Sequence, residues 1–501
     1  MSMPRCEAEN RLDRFNGDRS AILAEVRRRV VDSYRAAAAV SADASLEYVL
    51  NDVAVSEIRR QEGSAHPDDK ALARWRDLGA RLARMDEPAK VAELEALVRH
   101  YCSDVVGNFD PRVYRFATRA IPAGLSFVFS PVRGLRGLRD LASLGNGPSQ
   151  LDMRIQIEGA IDHVRAVCQR GTLVVTPTHS SNMDSVVIGH ALMQAGLPPV
   201  SYGAGKNLFS NPFISYFMRN LGAYRVDRRL RFQLYKDVLK TYSTVLLENG
   251  YHSLFFPGGT RSRSNMVEQH LKLGLLGTSV TAYKNNLRRG EPQKRLFVVP
   301  VTINYRLVLE AETLIDDYLA ETGKSRYIIT DDEFSRLHRI VEFVRKMLVH
   351  EGALIIRFGK PLDPFGNDVD EDGNSYDRRG RPIDPSSYLR DAAGAISDDD
   401  QRDGEYTRHL GRRLVDIYRQ ETVLHAPHLL ARALFDALAA AAGTRDMMRL
   451  LRVSPSLLAV PIDRAGAGIA ALRDRLTADP TQGRLHPTIR GASIDRIIED
   501  A

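Results

Sequence analysis

The chain has few cysteines and no cysteine cluster. Cys6, Cys102 and Cys168 are the three in 501 residues, and no two of them form a Cys-x-x-Cys pair. This spacing argues against a disulfide framework and against a cysteine-rich zinc site, and it is typical of proteins in a reducing compartment.

Long apolar runs are also missing. No stretch reaches the roughly 18–20 apolar residues that a membrane-spanning helix needs. The N-terminal residues are too rich in Arg, Asp and Glu for a secretory signal. The nearest apolar segment, residues 120–132, contains two prolines and a glycine, and Arg133, Arg136 and Arg139 follow it. Residues 120–141 are therefore interpreted either as a membrane-surface segment or as a buried interdomain segment with a solvated arginine face.

Neither sign of charge dominates. Lys and Arg number 70 against 63 Asp and Glu, a formal net charge of +7. This small excess suits an anionic substrate or an anionic membrane surface. Basic and aromatic residues do not alternate in a strip, so we expect no nucleic-acid partner. We predict a cytoplasmic protein that is peripheral on the inner face of the membrane.

The spacing of apolar residues divides the chain into regions. Residues 1–148 are predicted to form a helical N-terminal region. Between residues 149 and 362, short apolar runs alternate with amphipathic segments, which predicts an α/β domain with a mixed, largely parallel sheet flanked by helices. The predicted strands are Leu173–Thr176, Val200–Gly203, Ser253–Phe256, Leu296–Ile303 and Leu354–Phe358.

The remaining residues are predicted to form two further regions. Residues 363–403 are rich in Pro, Gly and Asp, which predicts a polar loop or hairpin insert. Residues 404–501 are predicted to form a helical C-terminal region. No internal repeat is expected in any region.

The most informative residues follow the predicted strand at 173–176. His179 comes directly after it, and Asp184 lies five residues further on. A carboxylate that binds one imidazole nitrogen fixes the tautomer and leaves the other nitrogen to take a proton from a hydroxyl. Ser180 or Ser181 is expected to cap the helix that Asp184 begins. The alternative is a surface histidine beside an acid that serves only the helix end.

A second block of unusual residues runs from Gly203 to Arg228. Its Gly-x-Gly-Lys segment, which ends at Lys206, lacks the spacing of a P-loop and is interpreted as a phosphate contact or as a tight turn. Arg228 closes a strand-like run, where its guanidinium faces either phosphate or solvent.

Two more blocks follow along the chain. In the third, Gly259 allows a sharp turn and a close approach to a ligand. Thr260, Arg261 and Ser262 then supply hydrogen-bond donors that suit phosphate oxygens, although a glycine-rich hairpin with solvated arginines is the alternative. The fourth block is an apolar strand containing Pro300, which marks an edge strand, a bulge or the wall of a pocket.

In this order, the four blocks resemble the glycerol-phosphate acyltransferase superfamily over about residues 150–360. The first is similar to the His-x4-Asp motif of that family, and the third to its Gly-Thr-Arg-Ser block. Residues around Ser181, Met183 and Tyr305 favour the glycerol-3-phosphate branch. One residue departs from the pattern, because many members carry a glutamate where this chain has Gly258.

The resemblance implies a direct acyl transfer from acyl-CoA or acyl-carrier protein to the hydroxyl of glycerol 3-phosphate in phospholipid synthesis, without a metal or other cofactor. His179 would be the general base and Asp184 would orient it. The implied substrate-binding residues are Lys206, Arg228, Gly259, Thr260, Arg261, Ser262 and Pro300. The alternatives are an acyltransferase that uses lysophosphatidate or another lipid acceptor, and a catalytically silent protein that binds the membrane surface.

Overall fold

The computed structural model describes residues 10–40, 45–64, 67–117, 155–181, 183–209, 212–262, 266–308, 354–450, 452–453 and 459–501. The predicted membrane-surface segment, residues 120–141, lies outside these ranges. Within them, no helix is both long enough and apolar enough to cross a bilayer.

Helices make up most of the described N-terminal residues, and polar side chains begin three of them. The longest are α1 (Phe15–Val40), α2 (Leu46–Glu62), α3 (Asp69–Arg81) and α4 (Glu87–Val105), and residues 111–117 are also helical. Ser45, Asp68 and Asp86 accept hydrogen bonds from the first backbone N–H groups of α2, α3 and α4. These caps satisfy donors that have no partner within the helix.

A seven-stranded sheet lies at the centre of the α/β region. In chain order its strands and helices are β1 (Ile155–Gly159), α5 (Ile161–Cys168), β2 (Gly171–Pro177), α6 (Asp184–Gln194), β3 (Ser201–Gly205), α7 (Pro212–Asn220), β4 (Ala223–Val226), α8 (Gln233–Glu248), β5 (Ser253–Leu254), α9 (Leu273–Arg288), β6 (Arg295–Tyr305) and β7 (Leu354–Phe358). The strand order is β1-β7-β6-β2-β5-β3-β4, and only the β6–β7 pair is antiparallel. The predicted mixed, largely parallel sheet is therefore confirmed, and each of the five predicted strands overlaps an observed one.

The N-terminal helices pack directly on the α/β region. Apolar side chains of α1, α2 and α4 share one hydrophobic core with Val238 and Tyr242 of α8. The buried carboxylate of Glu248, at the end of α8, binds Arg29 of α1 at 2.6 Å and Arg289 at 2.9 Å. Because an unpaired buried charge is costly, Arg29 ties helix α1 to the end of α8, and Arg289, the residue after α9, is a second partner of the same carboxylate.

Pro300 lies in a central strand, so the edge-strand interpretation is wrong. It sits in β6 opposite Thr176 of β2, and its carbonyl accepts a hydrogen bond from Gly359 N at 2.8 Å. The antiparallel ladder with β7 ends at the adjacent pair, Val301 and Phe358. The N–H that proline lacks therefore falls just beyond that ladder, where its absence breaks no strand pairing.

A seven-residue repeat follows β7, so the prediction of no internal repeat is wrong. Each unit is a tight turn whose aspartate side chain accepts backbone N–H groups from the residues that follow it. A glycine with φ between 75° and 86° lies three residues after the aspartate in four of the five units. The aspartates are Asp363, Asp370, Asp377, Asp384 and Asp391, and the glycines are Gly366, Gly373, Gly380 and Gly394. Between the first turns, β8 (Asp368–Val369), β9 (Ser375–Tyr376) and β10 (Pro382–Ile383) pair as antiparallel strands.

The C-terminal region is mainly helical. Its elements are α10 (Asp400–Glu421), β11 (Val423–Leu424), α11 (Ala426–Ala442), α12 (Met447–Leu450), α13 (Ile462–Ala478), β12 (Arg484–Leu485), α14 (Pro487–Arg490) and α15 (Ile494–Asp500). Helices α11, α13 and α15 bury their apolar faces in a small core of their own. The boundaries at residues 148, 362 and 403 stay predictions.

Candidate active site

His179 and Asp184 are in contact at the carboxyl end of β2. The Nδ1 atom of His179 lies 2.8 Å from Oδ2 of Asp184. Because an ionised carboxylate only accepts hydrogen bonds, Nδ1 carries the proton and Nε2 keeps its lone pair. The His179 side chain is 14% exposed and that of Asp184 is fully buried. Nε2 is therefore the ring nitrogen that can take a proton.

The carboxylate of Asp184 is held by three further donors. Its Oδ2 accepts the backbone N–H groups of Ser180 at 2.6 Å and Ser181 at 2.9 Å, and its Oδ1 accepts the Tyr305 hydroxyl at 2.7 Å. The predicted capping of α6 by Ser180 or Ser181 is wrong, since Met183 is the N-cap residue and makes no side-chain cap; the Ser181 hydroxyl oxygen accepts the Met183 N–H at 3.1 Å, ahead of the helix. The acid instead folds back over the turn that precedes its helix, which fixes the position of His179.

The third block holds the backbone and ring of His179. Ser262 N donates to the His179 carbonyl at 2.7 Å, and His179 N donates to Oε1 of Glu268 at 2.7 Å. The Phe256 ring stacks on the imidazole with a centroid separation of 4.2 Å and an interplanar angle of 24°. The Phe256 ring covers one face of the imidazole, and the backbone N–H and carbonyl of His179 are both hydrogen-bonded. The imidazole therefore has little freedom to turn.

Gly259 makes the sharp turn that brings this block to His179. Its φ is 77° and its N–H donates to the Phe256 carbonyl at 3.0 Å. A Cβ at this position would lie 2.8 Å from Cγ of Lys272, so both backbone angle and space require glycine. Thr260 is exposed and Arg261 is half-buried beyond the turn. The Ser262 hydroxyl donates to the Met266 carbonyl at 2.8 Å.

The second and third blocks follow strands that end at the same edge of the sheet as β2, the strand before His179. His179, the third block, Lys206 and Arg228 follow β2, β5, β3 and β4, which are parallel neighbours in that order. Pro300 lies on the other side of β2, in β6. Adjacent strands are about 4.8 Å apart, so Arg228 leaves the sheet roughly 14 Å from the strand that carries His179. Ligands of open α/β sheets bind outside this carboxyl edge.

Lys206 lies in a network of carboxylates. Its ammonium is 3.2 Å from Asp104 of α4 and 3.4 Å from Asp227. Both acids line a cavity of about 470 Å³ between the N-terminal helices and the ends of β3 and β4. Arg228 is exposed two residues beyond the end of β4.

Two residues with polar contacts to the His179–Asp184 pair were not identified as such from the sequence. Tyr305 is 121 residues from Asp184 and Glu268 is 89 residues from His179. No local pattern marks either contact, because both arise only where β6 and the β5 loop pack beside β2.

Residues 155–304 match the protein family described as Acyltransferase. The matched segment contains the His179–Asp184 pair and nearly all of the sheet from β1 to β6. The family match and the four sequence blocks thus both indicate an acyltransferase domain in this part of the chain, which is about 30% of its 501 residues.

Among curated proteins, the chain is similar to glycerol-3-phosphate acyltransferases. The protein from Pseudomonas paraeruginosa is 29% identical over 203 residues, which are 40% of this chain and 22% of that protein. The protein from Xanthomonas campestris is 28% identical over 204 residues, which are 40% of this chain and 21% of that protein. The chain thus spans less than a quarter of the length of these relatives. A crystal structure of a 1-acyl-sn-glycerophosphate acyltransferase from Thermotoga maritima is 15% identical, with a TM-score of 0.27, and the match covers 60% of this chain and 90% of that one.

The Tyr305 hydroxyl is expected to support the orientation of Asp184. Tyr305→Phe removes one hydrogen bond to a buried carboxylate, and we expect acyl-transfer kcat to fall about 5- to 10-fold. Steady-state kinetics checks this value. Tyr376→Phe is the matched control, because the Tyr376 hydroxyl makes a similar 2.9 Å hydrogen bond to Asp370 in the seven-residue repeat after β7. Equal kcat values for both variants and the parent protein would contradict the expected role.

Proposed function

We propose that this protein transfers a fatty acyl group from an acyl thioester to the hydroxyl of glycerol 3-phosphate. The observation that carries the proposal is the 2.8 Å contact between Nδ1 of His179 and a fully buried carboxylate. It leaves Nε2 as the basic nitrogen, in a residue that lies at the same edge of the sheet as the second and third blocks. The acyltransferase family match supports the reaction type.

The proposed reaction needs one proton acceptor and a thioester bound next to it. Nε2 of His179 removes the hydroxyl proton as the oxygen attacks the thioester carbonyl. The carbonyl oxygen becomes an oxyanion, which backbone N–H groups near Gly259 would stabilise. Collapse of this intermediate breaks the C–S bond, the thiolate takes the proton from the imidazolium, and ester and free thiol leave. The carboxylate of Asp184 stabilises the imidazolium while it exists.

The acceptor phosphate would be bound by cations at the same edge. Arg228 and Arg261 extend from the β4 and β5 sides, and Thr260 adds an exposed hydroxyl. Arginine is well suited to phosphate because its planar group donates two parallel hydrogen bonds. Lys206 would contribute only if the phosphate competes with Asp104 and Asp227 for its ammonium.

The donor carrier and the cellular location are also part of the proposal. Acyl-CoA or acyl-carrier protein supplies the thioester, and neither reaction partner requires a metal. Because the product is an amphipathic phospholipid precursor, we propose peripheral attachment to the anionic inner membrane surface. The basic residues first assigned to that contact, Arg133, Arg136 and Arg139, lie outside the described residues.

A panel of acceptors tests the proposed substrate. The purified protein is incubated with one long-chain acyl-CoA and with glycerol 3-phosphate, lysophosphatidate or no acceptor, and released thiol is measured. We expect release to be fastest with glycerol 3-phosphate. Faster release with lysophosphatidate would reassign the acceptor. Binding to anionic vesicles without turnover of acyl-CoA or acyl-carrier-protein thioesters would instead identify a catalytically silent surface-binding protein.

A further inference from the structure

Glu268 contacts the backbone of the candidate base. Its Oε1 accepts the His179 N–H at 2.7 Å, which is a charge-assisted hydrogen bond. The side chain is half-buried. Burial raises the pKa of Glu268, and the hydrogen bond from the His179 N–H opposes that rise.

This contact is one half of a clamp on His179. The other half is Ser262, whose N–H donates to the His179 carbonyl at 2.7 Å. Both residues belong to the loop that follows β5, and Lys272 N closes this loop on the Pro257 carbonyl at 2.6 Å. The strand β2 ends at Pro177, so strand pairing no longer holds the backbone at His179. The loop takes over that function and fixes both peptide groups of the residue.

Gly258 makes room for the Glu268 side chain. A Cβ built on Gly258 would lie 2.9 Å from Cγ of Glu268 and 3.4 Å from its Oε1. The φ of Gly258 is outside the left-handed region, so its backbone does not require glycine. With Glu268 in this position, a side chain at position 258 would require Glu268 to move. The 3.4 Å separation is also within the range of Cβ–Oε distances of one glutamate side chain, so the Glu268 carboxylate lies within reach of a glutamate at position 258.

We propose that Glu268 is a positioning residue for His179. It supplies a carboxylate from a position ten residues after Gly258, and a glutamate at position 258 could supply the same carboxylate. The inference rests on the proposed function, because it concerns the base of that reaction. Glu268 acts through the His179 peptide and need not touch substrate. Its removal should therefore lower the rate of the chemical step more than it weakens substrate binding.

Exchanging the carboxylate between the two positions tests this proposal. We expect Glu268→Ala to lower kcat about 5- to 30-fold while KM for donor and acceptor stays within about threefold. Glu268→Gln keeps an acceptor oxygen and should lose less. Gly258→Glu alone should lose activity because two side chains collide. Combining Gly258→Glu with Glu268→Gly should restore kcat to within about threefold of the parent protein. Gln269→Ala, an exposed neighbour, is the control.

The outcomes separate a positioning role from a purely structural one. Recovery in the exchanged variant supports the proposal, because a general packing defect would not be repaired by moving a carboxylate ten residues. Parental kcat in Glu268→Ala would overturn it, as would an exchanged variant that folds and is no more active than Glu268→Ala. If Glu268→Ala does not fold, Glu268→Gln and the exchanged variant carry the test.

A readout without turnover distinguishes failure of this inference from failure of the proposed function. In protein labelled with ¹⁵N-histidine, the proton on Nδ1 of His179 is assigned as the signal that His179→Ala removes. We expect this signal to weaken in Glu268→Ala and to return in the exchanged variant. An unchanged signal in Glu268→Ala would overturn the positioning role. A parent protein that releases no thiol from any donor, yet shows this pattern, would overturn only the proposed reaction.

Discussion

Replacing His179 with alanine is expected to lower kcat for acyl transfer about 10²- to 10⁴-fold, the usual contribution of a general base. The variant keeps every other residue at the edge of the sheet but has no group that takes the hydroxyl proton. Release of free thiol from acyl-CoA measures the rate. Circular dichroism and thermal unfolding check that the fold survives.

A histidine outside the site provides the matched control. His270 is exposed in the same loop as Glu268. His270→Ala should therefore keep parental activity. If His179→Ala is as active as His270→Ala, the proposed chemistry is wrong, whatever the fold of the domain.

Asp184→Asn is the second substitution with a large expected effect. The Oδ2 position receives three N–H donors, so the amide of the variant should place its oxygen there. Its NH₂ group then faces Tyr305, whose hydroxyl turns to accept. Geometry is thus retained and only the charge is lost. A buried ion pair that loses one partner costs about 3–5 kcal/mol. Because the imidazolium exists only during reaction, we expect kcat to fall about 10²- to 10⁴-fold with little change in stability.

Comparison of Asp184→Ala with Asp184→Asn separates the effect of the lost charge from the effect of the lost hydrogen bonds. It leaves the Ser180 and Ser181 N–H groups unpaired in a buried site, at a cost of about 1–3 kcal/mol each. We expect this variant to lose both activity and thermal stability, whereas Asp184→Asn loses activity alone. Asp363→Asn is the control, because Asp363 is also buried and binds backbone N–H groups far along the chain. An active Asp184→Asn protein would show that the carboxylate does not support the base.

The seven-residue repeat after β7 is a signal that was present in the sequence and missed. Aspartate recurs every seven residues from Asp363 to Asp391, and glycine follows three residues later in four of the five units. Asp and Gly at this spacing are typical of tight turns, since the carboxylate accepts nearby N–H groups and glycine allows positive φ. The composition predicted a loop or hairpin here, and a search for periodic turn residues would also have predicted the repeated turns.

At the start of α6, a signal in the sequence was recognised but predicted the wrong contact. Ser180 and Ser181 have the side chains expected at an N-cap. The Asp184 carboxylate instead accepts both of their backbone N–H groups. Local propensity predicted that a polar side chain would satisfy backbone donors here. It did not predict that the Asp184 carboxylate accepts the N–H groups of Ser180 and Ser181, because the buried position of Asp184 depends on Tyr305 and on the packing of β6 beside β2.

The amino-acid sequence by itself determined the α/β class, the five core strands and the four ordered blocks, because apolar period and turn chemistry are local properties that neighbouring residues carry. Only the tertiary structure decided that Tyr305 holds Asp184 and that Glu268 and Ser262 clamp His179 from a loop more than 80 residues away. Such contacts depend on the order of strands in the sheet. Strand order is set by long-range packing of whole elements, and no short stretch of chain encodes it.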